Sequence, residues 1–222
     1  MRENEMLRIA IDGPGGSGKS TIAKLLAKKL NLDYIDTGAM YRAIALKILN
    51  NNLDFTDSND MKLLLDDTNI DFSEGSVFLD GENVDTKIRT PEVSLFASKV
   101  AAIALVREKL VELQKNIAAT KNVVMDGRDI GTNVITDAEY KYYMIASVEE
   151  RAARRYKELL EKGETISLES VKKDIEERDY ADMNRELNPL IKAEDALELD
   201  TTNMSIIEVV EYIEREVSNG KG

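Results

Sequence analysis

The chain has 222 residues, 43% of them hydrophobic and 32% charged, which excludes a disordered, collagen-like or low-complexity protein. It contains no cysteine and no histidine, so disulfides, thiolate or imidazole metal sites, cysteine nucleophiles and histidine general bases are all excluded. Its formal charge is −12, from 30 Lys and Arg against 42 Asp and Glu, which opposes broad binding to nucleic acid or an anionic membrane and leaves room only for anions met by a local gathering of positive groups.

The first apolar run, Leu7 to Ile11, is broken by Arg8 and is far too short for an export signal. No run approaches the ~20 apolar residues of a membrane span. The expectation is a cytoplasmic protein that uses neither membrane nor nucleic acid.

In chain order, Leu7 to Asp12 reads as a short buried strand. A glycine-rich loop follows, then a helix from about Gly18 with the apolar stripe Ile22, Leu25, Leu26 and Leu30. Tyr34-Ile35 reads as a second strand, and Ala39 to Leu49 as a second helix that Asp36 could cap. From residue 50 to about 96 the character changes. Ile70 and Phe72, then Val77 and Leu79, alternate with polar residues, with turns at Glu74-Gly75 and Asp80-Gly81. This predicts a small β-rich insert on one edge of the main sheet. Thr90-Pro91 then supplies a cap and a first helical proline, opening a helical stretch to about Ala119 with a break near 99.

Asn122 to Asp126 is a strand ending in an acid, and Tyr140 to Ala146 is another buried strand. Ser147 and Glu150 suggest a capping box for a helix carrying Arg151, Arg154 and Arg155, which Lys162-Gly163-Glu164 would end. Further helices are expected over Leu168 to Arg178 and after the Ser205/Glu208 cap, the latter with the stripe Ile206, Val209, Val210, Ile213 and Val217. A short strand at Ala196 to Leu199 lies between them, and the end from Ser218 should fray. Alternating strands and helices predict an α/β fold with a parallel sheet flanked by helices.

Gly13-Pro14-Gly15-Gly16-Ser17-Gly18-Lys19-Ser20 fits G-x-x-x-x-G-K-[ST] at every fixed position, and Thr21 follows. Glycines let successive amides curl around phosphate oxygens, and the following helix aims its positive end there. Lys19 should reach the β- and γ-phosphates, with the Ser20 hydroxyl on Mg²⁺. A chance match in a chain this long is on the order of 1%, and the strand before and helix after supply the right setting. Asp126, closing an apolar strand, is the candidate acid behind the metal.

Three further clusters put arginine beside carboxylate: Asp36-Thr37-Gly38-Ala39-Met40-Tyr41-Arg42, Asp126-Gly127-Arg128-Asp129, and Glu177 to Arg185. With the phosphate loop, the IRTPEVSLFASKVAAIALVRE segment, DGRDIGT, ERAARR and ERDYADMNR, nearly the whole chain resembles the bacterial cytidylate kinases of the nucleoside monophosphate kinase group. The resemblance implies one P-loop kinase domain over 1–222, a monophosphate-binding insert at about 50–96 and a helical lid at about 150–180. It implies transfer of phosphoryl from ATP to CMP or dCMP with Mg²⁺, by a monomer. It places Arg42, Arg128 and Arg185 around the acceptor phosphate, with Thr37 and Tyr41 lining the same pocket. Ser98, Arg107 and Asp129 match positions that read cytosine, and Arg178 and Asp182 positions near the sugar. Arg151, Arg154 and Arg155 match the lid over the ATP phosphates.

Taken alone, several of these residues read otherwise. The lid arginines sit at helical spacing among glutamates, as on a solvated face, and Arg178, Asp182 and Arg185 would make a surface ion-pair ladder. Other readings are a kinase for UMP or dTMP and a nucleotide switch. The latter lacks an N-K-x-D guanine motif here.

Overall fold

The computed structural model describes residues 6–54, 58–73, 75–161 and 163–220. In chain order the elements begin β1 Arg8–Asp12, α1 Lys19–Leu30, β2 Asp33–Asp36, α2 Thr37–Asn50 and α3 Ser58–Asp66. Next come β3 Ile70–Ser73, β4 Ser76–Leu79, β5 Glu82–Asn83, α4 Pro91–Val100 and α5 Ala104–Ala118. The chain finishes with β6 Val123–Gly127, β7 Tyr140–Ile145, α6 Val148–Glu161, α7 Leu168–Asn184, β8 Leu197–Asp200 and α8 Ile206–Asn219. Two compact units result, one formed by Met1–Tyr34 with Lys121–Gly222 and the other by Ile35–Thr120.

The first unit is built on a five-stranded sheet of order β2-β6-β1-β7-β8. β1 pairs in parallel with both β6 and β7, and β7 in parallel with β8. Strands covered on both faces need apolar side chains at consecutive positions, and Ile9, Ala10 and Ile11 are all buried. Ile9, Ile11, Val124 and Met144 pack with Ile22 and Leu26 of α1 and Val209, Val210 and Ile213 of α8. In α1 the buried face is Ile22, Ala23, Leu26 and Ala27, whereas Leu25, expected in the stripe, is 41% exposed. The positions i, i+1, i+4 and i+5 define that face, and its two alanines let the helix lie close to the strands. In α8, Ile206 is likewise more exposed than the expected stripe implied, while the Ser205/Glu208 capping box forms. The helix continues to Asn219, so the expected fraying from Ser218 does not occur; 221 and 222 lie outside the described residues.

α6 and α7 pack through Ala152, Leu159, Val171 and Ile175. The expected Ser147 cap is half realised: Ser147 Oγ accepts from the Glu150 amide at 3.2 Å, but the Glu150 carboxylate is taken by Arg154. Gly163, at φ 80°, closes α6 with its amide on the Leu160 carbonyl, and Lys162 of the expected stop lies outside the described residues. α7 runs to Asn184, past the predicted end at Arg178, so Arg178 and Asp182 share one helix and Arg185 caps its end.

In the second unit Asp36 caps α2 by accepting from the Ala39 amide at 2.9 Å. Thr90 caps α4, with Pro91 in its first turn. The expected break falls at 101–103, between α4 and α5. The β-rich insert forms an antiparallel sheet of its own, β3-β4-β5, and does not lengthen the main sheet. Ile70 lies opposite Leu79, and Asp80-Gly81 turn with φ 51° and 85°. The other predicted turn rests on Glu74, outside the described residues. α3 was not foreseen; Met61, Leu64 and Leu65 bury its short stripe against a core shared with Ala39, Ile44 and Ile48 of α2.

Candidate active site

The phosphate loop leaves β1 at Asp12 and turns into α1. At Gly13, with φ 148°, a Cβ would lie 2.0 Å from the Met144 carbonyl oxygen, so no side chain fits where the loop crosses β7. Gly18, at φ 90°, occupies the N-cap of α1 in the left-handed region. Lys19 is 5% exposed, and its ammonium donates to the Pro14 carbonyl at 2.7 Å and to Ser17 Oγ at 3.3 Å, which holds it across the loop. Burial, then the charges of Arg128 and Arg178, pull its pKa well below the usual lysine value, against Asp126 and Asp12. An incoming polyphosphate would act in the same direction as the two aspartates and oppose the lowering by Arg128 and Arg178.

Ser20 Oγ donates to Asp126 Oδ2 at 2.8 Å, and the Tyr34 hydroxyl donates to Asp126 Oδ1 at the same distance. Thus the loop hydroxyl and the strand-end carboxylate named from the sequence do meet. Among the described residues no group of three or more acidic side chains could hold a metal. One hydroxyl and one carboxylate, both hard oxygen donors, fit a small divalent cation that takes its remaining ligands from water and phosphate.

Arg128 and Arg178 approach the loop at Gly15. The place where a Cβ on Gly15 would stand is 3.5 Å from an Arg128 terminal nitrogen and 3.8 Å from Arg178 Cδ. Arg128 Nε donates to Asp182 Oδ2 at 2.7 Å. Burial works to lower the pKa of Arg128, but Asp182 outweighs it and raises it, so the guanidinium stays charged. Burial likewise works to raise Asp182, yet Arg128 and Arg178 hold it below the usual carboxylate range. Asp129 is buried; its Oδ1 accepts from Arg185 at 3.0 Å and its Oδ2 from Asn133 Nδ2 at 3.1 Å.

The arginines of α6 divide. Arg151 is 4% exposed and donates to the carbonyls of Ala146 and Gly15 and to Asp179 Oδ2, the last at 2.6 Å. Arg154 pairs with Glu150 and lies within 3.9 Å of a Cβ built on Gly18. Arg155 pairs with the exposed Glu158 at 3.0 Å.

The remaining sequence candidates belong to the second unit. Arg42 donates to Asp36 Oδ2 at 2.9 Å, while its buried Nε has no hydrogen-bond partner among the described residues. Thr37 is buried at the start of α2. Arg107, 2% exposed, lies over the Tyr41 ring with 5.7 Å to the centroid. Ser98 is half-buried on α4.

Residues 9–219 match the family model described as cytidylate kinase. The chain belongs to the cytidylate kinase family. Cytidylate kinase of Fusobacterium nucleatum is 49% identical over 213 residues, covering 96% of this chain and 98% of that protein. The enzyme of Clostridioides difficile is 51% identical over 207 residues, covering 93% and 96%. Among solved structures, an uncharacterised protein from Eubacterium ventriosum superimposes with a TM-score of 0.53 at 12% identity, covering 97% of this chain and 99% of that one. The protein TT1252 from Thermus thermophilus gives 0.50 at 18% identity, covering 99% and 100%. These two likenesses speak for the fold alone.

Against this family background, four residues of the site escaped sequence reasoning. Asp12 stands directly before the loop and Tyr34 opens the predicted second strand, so chain position alone could have flagged both. Asp179 lies within the Glu177 to Arg185 cluster, but its pairing with Arg151, like that of Asn133 with Asp129, is fixed only by how helix and turn pack.

Proposed function

We propose that this chain transfers the γ-phosphoryl group of ATP to CMP, and to dCMP, giving ADP and the cytosine nucleoside diphosphate. The observation that carries the reading is the cationic cluster at the phosphate loop, Lys19 with Arg128 and Arg178, inside a protein of net charge −12. Its membership of the cytidylate kinase family supports the same acceptor.

The chemistry needs no general base. The attacking atom is a phosphate oxygen, already ionised at neutral pH, which agrees with a chain lacking histidine. The barrier lies in bringing two anions together and in the charge spread over the transferred group. Amides of the loop and Lys19 bind the β- and γ-phosphates. Arg128, held at Nε by Asp182 and at one terminal nitrogen by the Gly127 carbonyl, presents its other terminal nitrogen near Gly15, where phosphate oxygens would lie. Because these groups are fixed before reaction, little reorganisation is needed during it. Ser20 and Asp126 would hold Mg²⁺, which supplies charge neutralisation on the phosphate oxygens when bound. Arg42 and Arg185 are assigned to the acceptor phosphate, Thr37 and Tyr41 to the same pocket, and Arg178 and Asp182 to the sugar. Asp129 is assigned to the exocyclic amine of cytosine and Arg107, with Ser98, to the ring acceptors. Uracil would present an oxygen to the carboxylate and leave a buried polar group unpaired. Arg154 and Arg155 are assigned to the ATP side, with α6 and α7 as the lid.

A monomer acting in the cytoplasm, without nucleic acid, is the simplest reading of so acidic a chain. No helix among the described residues is long and apolar enough to cross a membrane. The test is a coupled ADP-release assay with ATP and Mg²⁺ on CMP, dCMP, UMP, dTMP and AMP. CMP and dCMP should turn over at least about a hundred-fold more efficiently than UMP. Equal turnover on UMP or dTMP would overturn the cytosine reading.

A further inference from the structure

Asp12 is a carboxylate that the phosphoryl-transfer scheme above does not use, yet it is among the most deeply placed charges in the first unit, at 5% exposure. It is the last residue of β1, and the phosphate loop begins at the next position. In the sheet it stands opposite Gly127 of β6, so the chain that follows β6 departs beside the root of the loop. That departing chain carries Arg128 and Asp129, then a single π turn over Ile130–Val134. Such turns break the regular ladder and leave amides that must find partners elsewhere.

Asp12 supplies those partners. Its Oδ1 accepts from the Ile130 amide and its Oδ2 from the Gly131 amide, each at 2.8 Å, across 118 and 119 residues of chain. A carboxylate gives each of the two adjacent N–H donors an oxygen of its own, whereas an asparagine or serine would have to take both on one oxygen. The close approach also explains Gly131, where a Cβ would lie 3.4 Å from Asp12 Oδ2 and 3.2 Å from Lys141 Cδ. Burial pushes the Asp12 carboxyl up to about 6, opposed by the two amides. A group held at that cost is expected to return something, and what it holds is the segment immediately after the two acceptor-side residues.

We infer that Asp12 is a positioning residue for phosphoryl transfer: by clamping the Ile130 and Gly131 amides to the root of the phosphate loop, it sets where Arg128 and Asp129 stand relative to that loop. This rests on the reading of the site as a CMP-phosphorylating one and deepens it. Asp12 itself touches neither nucleotide. Its loss should therefore weaken acceptor use far more than triphosphate binding, which relies on the loop amides and on Lys19, where Asp12 is only the weakest of the named charges.

The test is Asp12→Asn, nearly the same shape but with an NH₂ facing one of the two amides. The KM for CMP should rise about ten-fold or more, with the Kd for ATP, measured calorimetrically without acceptor, shifting less than about three-fold. Hydrogen exchange of the segment 128–135 in the ligand-free protein should speed up by about ten-fold or more relative to the 13–20 loop. If CMP and ATP affinities fall by the same factor, or neither changes, the inference is overturned. Should Asp12→Asn not fold, Gly131→Ala crowds the same bond from its other side and should give the same split, more weakly; an unsplit or absent effect there overturns it equally. Exchange in the free protein does not depend on the acceptor. A wild type that ignores CMP sinks the proposed function, whereas a wild type that uses CMP with an unsplit variant sinks only the role of Asp12.

Discussion

The two units hold their polar groups in different ways. In the first, Asp12, Lys19, Asp126, Asp129, Lys141, Arg151 and Asp179 are all buried, and most bond to loop backbone or to one another. In the second, the buried charges are Asp36, Lys47 and Arg107, set around a core of α2, α3, α4 and α5 side chains. Burying an ion is costly unless it is paired and hydrogen-bonded. The first unit meets that condition with ion pairs such as Arg151–Asp179 and Lys141–Asp195 and with bonds from Lys19 and Asp12 to loop backbone. The second keeps a mostly apolar interior, with Arg42 and Arg89 both paired to Asp36 and Arg107 buried over Tyr41.

The largest effect that would break this contrast is on Lys19. Lys19→Ala should lower kcat by about a thousand-fold or more. Its melting temperature should be unchanged or higher, because a buried ammonium held below its usual pKa costs the fold at neutral pH and relieves that cost as pH rises toward 10.5. A large drop in melting temperature with activity retained would mean that Lys19 serves the fold alone.

Next comes the division among the α6 arginines. Arg151→Ala leaves Asp179 buried without its cation and should cost about 3–5 kcal/mol in urea unfolding. Arg155→Ala removes a half-exposed pair and should cost about 0–1 kcal/mol. Equal costs would show that burial does not distinguish them. Arg151 is bonded into the frame of the loop through Gly15 and Asp179.

The smallest effect sharpens the electrostatics. With the Lys19 pKa lowered in the free protein, part of the population is neutral above pH 7. Triphosphate binding restores the charge, so ATP binding at pH 8 should take up as much as ~1 proton per site. Calorimetry in Tris and in HEPES, whose ionisation enthalpies differ, reads this directly. Buffer-independent heats, or proton release, would contradict the environment assigned to Lys19.

Much of this was legible in the chain. β1, the loop and α1 follow from local rules: an apolar run, glycines where φ is positive, and a helix start at Lys19. The Thr90-Pro91 and Ser205/Glu208 starts are equally local, because a cap and its amides lie within four residues. Ser20 and Asp126 were both assigned to the metal site from the sequence, and the structure brings them within hydrogen-bond distance of each other. By contrast, α3 and the extension of α7 past Arg178 were missed. Their sequences carry weak apolar stripes, and tertiary packing supplied what propensity did not.

The sequence by itself determined the parallel α/β frame, the phosphate loop and which residue types surround it, because backbone conformation and hydrophobic period act over a few residues at a time. Only the tertiary structure decided that Asp12 bonds the amides of the π turn, that Arg151 turns inward to Gly15 and Asp179 while Arg155 turns outward, and that Asp182 anchors Arg128. Those pairings join charges far apart in the chain. Which carboxylate meets which guanidinium is fixed by how helices and strands pack, and no local pattern encodes that choice.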